Sequence, residues 1–109
     1  MTPLALPVEQ TTPRVAVVIL NWNQPQLTLD CLASLQAMDY PNYSALVVDN
    51  GSADDSVARI SATYPGVEVL ALDENLGYAE GNNRGMAHAL AHGADYVRIL
   101  NNDTLVAPD

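Results

Sequence analysis

The stretch VAVVIL, residues 15–20, is a continuous run of apolar and mostly β-branched residues. A strand with one face in water alternates apolar and polar residues. A run without alternation indicates a strand that is covered on both faces, which is typical of a parallel sheet. Three further short apolar segments, at about residues 45–48, 67–72 and 95–100, predict three more strands.

Helical patterns separate these strands. After the first strand, Asn23 is a candidate N-cap, Pro25 suits the first helical turn, and apolar residues follow at helical spacing. Ser52 and Asp55 form a variant capping box that predicts the start of a second helix. A third helix ends at Gly93. The alternation predicts an α/β, Rossmann-like parallel sheet of about four strands, with three helices in a three-layer α/β/α arrangement.

The composition limits the classes of ligand. The chain has 109 residues, enough for one small domain, and its 49% apolar residues indicate a folded protein. Thirteen acidic residues against four basic ones give a formal net charge of −9. This charge repels nucleic acid and anionic lipid, so a polyanionic ligand would need a metal ion or local backbone donors. Cys31 is the single cysteine, so the chain forms no internal disulfide.

The first residues differ in character from the rest. Residues 1–13 contain Pro3 and Pro7 and lack a basic n-region, so they predict a flexible tail and not a signal peptide or membrane span. Residues 14–109 then form the folded domain. We expect a cytoplasmic location, at the inner face of the membrane in the full-length protein.

Polar residues follow all four predicted strands, at 21–23, 49–52, 73–75 and 101–103. The carboxyl ends of parallel strands lie at one edge of a sheet, where open α/β sheets bind their ligands. Asparagine can donate to and accept from a base, and carboxylates can accept from ribose hydroxyls or bind a hard cation. The pattern therefore favours a nucleotide diphosphate with a divalent metal, although each residue alone is also typical of a turn or cap.

Glycine recurs every four residues in the third helix, at Gly77, Gly81 and Gly85. Glycine inside a helix costs about 1 kcal/mol relative to alanine, so something must come close to this face. Two interpretations are equally open. The helix packs tightly on the sheet, or a ligand approaches the backbone near the start of the helix.

Four blocks in order carry a family resemblance: VVILNWNQ (17–24), LVVDNGSADDS (46–56), ENLGYAEGNNRGM (74–86) and ILNNDT (99–104). Together they resemble the amino-terminal, nucleotide-sugar-binding half of a family 2 glycosyltransferase with the GT-A fold, of the rhamnosyltransferase-like group. Each block alone is weakly specific, whereas the ordered set is specific. The resemblance runs from about Val15 to Asp109.

The resemblance implies a set of donor-binding residues and one metal ligand. ILNNDT resembles the family's D-x-D-type motif, in which the final carboxylate, here Asp103, binds Mg²⁺ or Mn²⁺ at the donor diphosphate. Asn101 and Asn102 stand where carboxylates often occur, so metal affinity without nucleotide should be low. The residues implied for binding the donor nucleotide or supporting its site are Asn21, Asp49, Asn50, Asn75, Gly77, Asn83 and Asn102.

The implied function is an inverting transfer of sugar from a UDP- or dTDP-activated donor to an acceptor such as a cell-surface or lipid-linked glycan, in polysaccharide biosynthesis. The family places the acceptor site and general base after the D-x-D block, so we expect the base beyond residue 109 and no catalytic residue in this chain. We accordingly expect the chain to be inactive alone and to self-associate through an uncovered sheet edge.

Two other functions stay open on the sequence. A nucleotidyltransferase has a similar α/β edge, but it would usually show a glycine-rich, basic loop after the first strand, and NWNQPQL (21–27) has neither feature. A non-catalytic binding or interaction module could keep the fold without the chemistry. Trp22 and Tyr78 are candidates for stacking on a base, and packing explains each equally well.

Overall fold

The computed structural model describes residues 13–38 and 41–106. Within them, four strands alternate with three helices. In chain order the elements are β1 (Val15–Asn21), α1 (Pro25–Gln36), β2 (Tyr43–Asp49), α2 (Ser56–Thr63), β3 (Glu68–Ala71), α3 (Tyr78–Ala91) and β4 (Tyr96–Asn101). Each predicted strand and helix is therefore present. The predicted tail, residues 1–13, lies outside the described residues except for Pro13.

The four strands form one parallel sheet in the order β3-β2-β1-β4. In the register, Asn21 of β1 stands beside Asp49 of β2, and Leu20 stands beside Asn101 of β4. The polar residues that follow the strands consequently lie level with one another at one edge of the sheet. The predicted parallel α/β arrangement is confirmed.

The two faces of the sheet are covered by different helices, which confirms the three layers. On one face, Ile19 and Val47 pack with Leu32 of α1 and Ile60 of α2, and all four side chains are 0% exposed. On the other face, Val18 and its neighbours pack with α3. Burial of a side chain of this size contributes about 1.5–3 kcal/mol to the free energy of folding. The central strands β1 and β2 are therefore stabilised by packing on both faces of the sheet.

The two predicted N-caps are wrong. α1 begins without a side-chain cap, because Asn23 adopts a left-handed φ of 52° and its Oδ1 accepts a hydrogen bond from Ala53 N at 2.8 Å. α2 begins at Ser56, and the N-cap position is occupied by Asp55. The Ser52 hydroxyl instead bonds the end of β2. Both side chains join neighbouring loops and do not cap a helix.

α3 lies unusually close to the sheet. A Cβ on Gly85 would lie 2.6 Å from Val48 Cγ2, and one on Gly81 would lie 2.8 Å from Leu20 Cδ1. Tight packing therefore explains these two glycines. Gly77 has no atom within 4 Å of its would-be Cβ and has a φ of +88°, so it is required by the turn that starts the helix.

None of the helices in the described part of the chain is long and apolar enough to cross a lipid bilayer.

Candidate functional site

A cleft of about 470 Å³ opens at the carboxyl edge of the sheet, between the ends of β1 and β4 and the start of α3. Since β2 lies on one side of β1 and β4 on the other, the cleft lies where the strand order reverses. Open α/β sheets bind ligands at this point. The lining residues are Leu20, Trp22, Asn23, Gln24, Tyr78, Asn101, Asn102 and Asp103.

Asp103 lies on a tight turn that follows β4. The turn is closed by a hydrogen bond from Thr104 N to Asn101 O at 3.0 Å. Asp103 is exposed on the wall of the cleft. Asn102, beside it, points its Nδ2 toward α1 and donates to Thr28 Oγ1 at 3.3 Å. The carboxylate therefore faces the open cleft while the neighbouring amide fastens the turn to the protein.

Two aromatic side chains line the same cleft. Trp22 is 49% exposed and Tyr78 is 60% exposed, so core packing does not account for either. The Tyr78 hydroxyl donates to Asn101 Oδ1 at 2.9 Å, which joins the start of α3 to the end of β4. Aromatic faces of this kind, next to polar groups, suit a planar ring such as a base.

Asn21 and Asp49 form a buried pair beneath the edge. They are 0% and 2% exposed, and Asn21 Nδ2 donates to Asp49 Oδ1 at 2.9 Å. The carboxylate also accepts from Ser52 N at 2.9 Å and from Ser52 Oγ at 2.7 Å. Both carboxylate oxygens thus have donors within the protein, and the pair ties the end of β1 to the end of β2.

Asn50 fastens the loop that precedes α3. Its Oδ1 accepts from Leu76 N at 2.9 Å, and its Nδ2 donates to Asn75 Oδ1 at 3.1 Å and to Gly77 O at 3.2 Å. Gly77 N donates to the same Asn75 oxygen at 2.7 Å. Asn50, Asn75 and Gly77 are therefore brought together, in an arrangement that fixes where α3 begins.

The residues at the cleft offer one carboxylate to a metal. In residues 13–38 and 41–106, no three Asp, Glu, His or Cys side chains come together as a ready metal site. Asn101 and Asn102 line the cleft beside Asp103, and Asn101 Oδ1 accepts from the Tyr78 hydroxyl. Mg²⁺ commonly takes one or two protein carboxylates and completes its shell with phosphates and water. The donor set fits a cation that arrives with a phosphorylated ligand.

Residues 16–109 match the sequence model of the family described as Glycosyl transferase family 2. The chain belongs to glycosyl transferase family 2. Glycosyltransferase AglE of Haloferax volcanii is 37% identical over 81 residues, which cover 70% of this chain and 27% of AglE.

Solved structures show the same fold. The mannosyltransferase PcManGT from Pyrobaculum calidifontis, in complex with GDP-Man and Mn²⁺, has a TM-score of 0.71 and 29% identity over 85% of this chain. S. aureus TarS 1-349, in complex with UDP-GlcNAc, has a TM-score of 0.71 and 23% identity over 83% of this chain. This family 2 chain spans 28% and 26% of those two chains, about a quarter of each. The predicted GT-A-type, Rossmann-like fold is confirmed.

Asn83 lies apart from the other predicted site residues of this family 2 domain. It is exposed on α3 and does not line the cleft, whereas its neighbour Asn82 is only 5% exposed. Among the described residues, Asn82 Oδ1 has no hydrogen-bond partner. A buried acceptor without a donor is unfavourable, so the Asn82 amide oxygen on α3 is an unsatisfied buried acceptor.

Thr28 and Ser52 belong to the hydrogen-bond network of the site, although neither is among the predicted site residues. Thr28 is 0% exposed and its hydroxyl donates to Asn21 Oδ1 at 2.6 Å. One signal for Thr28 exists in the sequence, because it falls on the same helix face as Cys31 and Leu32 and is the polar member of that face. The signal for Ser52 is its place in the block LVVDNGSADDS (46–56), among the polar residues that follow β2.

Cys31 lies behind the Asp103 turn, with Sγ 4.0 Å from Asn101 O and no solvent exposure. Burial, and secondly the negative charge of Asp103, raise the pKa of the thiol above its ordinary value of 9.0. The folded state thus favours the neutral thiol. As the pH rises, the thiol loses its proton in the unfolded chain, near pH 9, before it does so in the folded chain. The stability that the neutral Cys31 thiol contributes is therefore fully present at lower pH and is lost as the pH rises.

We therefore expect the free energy of unfolding to fall less steeply between about pH 8 and pH 10 in Cys31→Ala than in the unchanged chain. Urea unfolding at several pH values measures both slopes, and the difference between them isolates the contribution of the Cys31 thiol. Equal slopes would show that the thiol titrates alike in the folded and unfolded chains.

Proposed function

We propose that residues 14–109 form the donor-binding part of an inverting glycosyltransferase that takes a nucleotide-diphosphate sugar together with a divalent metal. The observation that carries this proposal is the 470 Å³ cleft where the strand order reverses, with the exposed Asp103 on its wall between polar amides and the rings of Trp22 and Tyr78. A planar base, a ribose and a diphosphate with its cation need these three kinds of partner.

In this proposal the predicted residues divide into two groups. Asn102 and Asp103 contact the ligand from the cleft wall, Asn102 at the ribose and Asp103 at the metal. Asn21, Asp49, Asn50, Asn75 and Gly77 lie at the nucleotide end, where their mutual hydrogen bonds fix the loops around it. A contact of Asn83 with the donor stays a prediction.

The proposed metal is Mg²⁺ or Mn²⁺, with Asp103 as its protein carboxylate. The complex of the related PcManGT with GDP-Man and Mn²⁺ supports this choice. Such a cation, when bound, neutralises the diphosphate that leaves the sugar. Asp103 would orient the cation toward the cleft, and the neighbouring amides would hold the turn in place.

The rest of the reaction is proposed from the family. An acceptor hydroxyl attacks the anomeric carbon, the bond to the diphosphate breaks, and a general base takes the hydroxyl proton. We propose that this base follows residue 109 and that the acceptor is a cell-surface or lipid-linked glycan. Inactivity of the chain alone, the rhamnosyltransferase-like subgroup, the cytoplasmic site and self-association at the β4 edge stay predictions.

Binding of nucleotides tests the proposal directly. We expect UDP or dTDP to bind roughly tenfold more tightly with Mn²⁺ than without it, because one carboxylate and the phosphates share the cation. Isothermal titration calorimetry of the chain with UDP, dTDP and GDP, each with and without Mn²⁺, measures this ratio. GDP belongs in the series because PcManGT was solved with GDP-Man.

The same titrations separate the alternatives. Family 2 membership favours a glycosyltransferase over a nucleotidyltransferase. A folded chain, verified by circular dichroism, that binds none of the three nucleotides with Mn²⁺ would contradict the proposal and favour an interaction module that keeps the fold alone.

A further inference from the structure

Thr28 is a polar residue in a buried, mostly apolar environment. It lies on the buried face of α1 together with Cys31, Leu32 and Leu35, and it is 0% exposed. A buried hydroxyl costs free energy unless its hydrogen bonds are made. The position therefore requires specific partners, and those partners come from other elements of the fold.

Those partners connect both ends of the candidate site. The Thr28 hydroxyl donates to Asn21 Oδ1 at 2.6 Å and accepts from Asn102 Nδ2 at 3.3 Å. From Asn21 the connection continues through Nδ2 to Asp49 Oδ1 at 2.9 Å. One helix residue thus joins the turn after β4 to the ends of β1 and β2, through the part-buried Asn102 and the buried Asn21 and Asp49.

α1 holds the same turn at a second point. Ser34 Oγ accepts from Val106 N at 2.9 Å, on the far side of Asp103 from Asn102. The Ser34 hydroxyl itself donates to Cys31 O at 2.8 Å, so its orientation is fixed by the helix. The segment that presents Asp103 is therefore attached to α1 both before and after the carboxylate.

We propose that Thr28 is a positioning residue that sets the orientation of the Asp103 turn and links it to the Asn21–Asp49 pair; this rests on the proposed function. A ligand group on an exposed turn loses conformational freedom when it binds a cation. Thr28 removes part of this entropic cost in advance, because its hydrogen bond to Asn102, the neighbour of Asp103, already fixes the turn. The metal end and the nucleotide end of the site are thereby coupled.

Two substitutions at this position separate the hydroxyl from the shape of the side chain. Thr28→Val keeps the shape and removes the hydroxyl, and it should lower the Mn²⁺-dependent gain in UDP or dTDP affinity about fivefold, the usual effect of one hydrogen bond. Metal-free affinity should fall by a clearly smaller factor, through the lost hydrogen bond to Asn21. Thr28→Ser keeps the hydroxyl and should retain the gain. Thr63→Val, the same change at an exposed threonine of α2, is the matched control.

A double variant distinguishes positioning from general weakening. If Thr28 acts through Asp103, then Thr28→Val adds no further loss of metal-dependent affinity in an Asp103→Asn background. A merely structural role would lower affinity with and without Mn²⁺ by the same factor, in both backgrounds. That result, or a full metal-dependent gain in Thr28→Val, would overturn the proposal.

Hydrogen exchange in the unchanged chain provides a test that needs neither a variant nor a ligand. The Asn102 side-chain amide donates to Thr28 and, at 3.4 Å, to Gln24 Oε1, whereas Asn83 is exposed. Exchange of the side-chain amide protons of Asn102 should be at least about threefold slower than exchange of the side-chain amide protons of Asn83. Equal rates would overturn the positioning role even if Thr28→Val does not fold. Slow exchange without metal-dependent nucleotide binding would instead refute the proposed function alone.

Discussion

Replacement of Gly51 by alanine should destabilise the fold by about 2–5 kcal/mol, the sum of roughly 1–2 kcal/mol for a left-handed backbone and about 1–3 kcal/mol for overpacking. Gly51 has a φ of +75°, and a Cβ there would lie 2.5 Å from Glu74 C and 2.6 Å from Asn75 N. Those neighbours are backbone atoms and cannot rotate away. The loops after β2 and β3 must therefore separate or the residue must leave its conformation.

Two other glycines provide controls for this experiment. Gly77→Ala tests the backbone cost alone, because φ is +88° and no atom lies within 4 Å of the added Cβ. Gly66→Ala has open space and needs no positive φ, so it should be neutral or slightly stabilising. Urea unfolding of the three variants should rank them Gly51, Gly77, Gly66 in order of decreasing loss. A Gly51→Ala chain as stable as Gly66→Ala would contradict the predicted contact.

The strands and the polar edge could be predicted because their signals are local. Continuous apolar runs such as VAVVIL specify strands covered on both faces, and polar residues that follow parallel strands must meet at one edge. Asn21 and Asp49 were predicted together for this reason, and the register places them side by side. The assignment of both residues to donor binding came from the family resemblance.

The hydrogen-bond partners of the site could not be predicted in the same way. Asn23 and Ser52 have the residue types of helix caps, yet Asn23 N donates to Ser52 Oγ at 2.9 Å across two loops. The local sequence pattern favoured a helix cap in each case, but each residue instead makes a hydrogen bond with a residue distant in sequence. Thr28 shows the same limit, because its partners belong to β1 and to the turn after β4.

The glycine repeat illustrates a signal that was correct but ambiguous. Spacing of four residues indicates a close approach on one helix face, and it does not say whether a ligand or the sheet approaches. The positions of Val48 beneath Gly85 and of Leu20 beneath Gly81 assign the approach to the sheet. Only the packing of α3 against β1 and β2 contains that information.

Asp103→Asn should abolish the gain in UDP or dTDP affinity that Mn²⁺ provides, and should therefore weaken binding in the presence of the metal by about tenfold. Asparagine has the same shape and retains one oxygen, but it lacks the negative charge that attracts a hard cation. The cleft lining described here offers no second carboxylate to replace it. Calorimetric titration with and without Mn²⁺ measures the loss, and metal-free affinity should change by less than about twofold.

General acidity is the competing explanation for any metal effect, because the chain has a net charge of −9 and attracts cations everywhere. Asp95→Asn removes the same charge at the opposite end of β4, about 20 Å away along the strand. Its amide oxygen can still accept from Arg14 N, as Asp95 Oδ2 does at 2.9 Å. If Asp95→Asn lowered the Mn²⁺ gain as much as Asp103→Asn, the effect would come from net charge and Asp103 would not be the ligand. A loss confined to Asp103→Asn requires a short-range contact, which only the residue on the cleft wall can make.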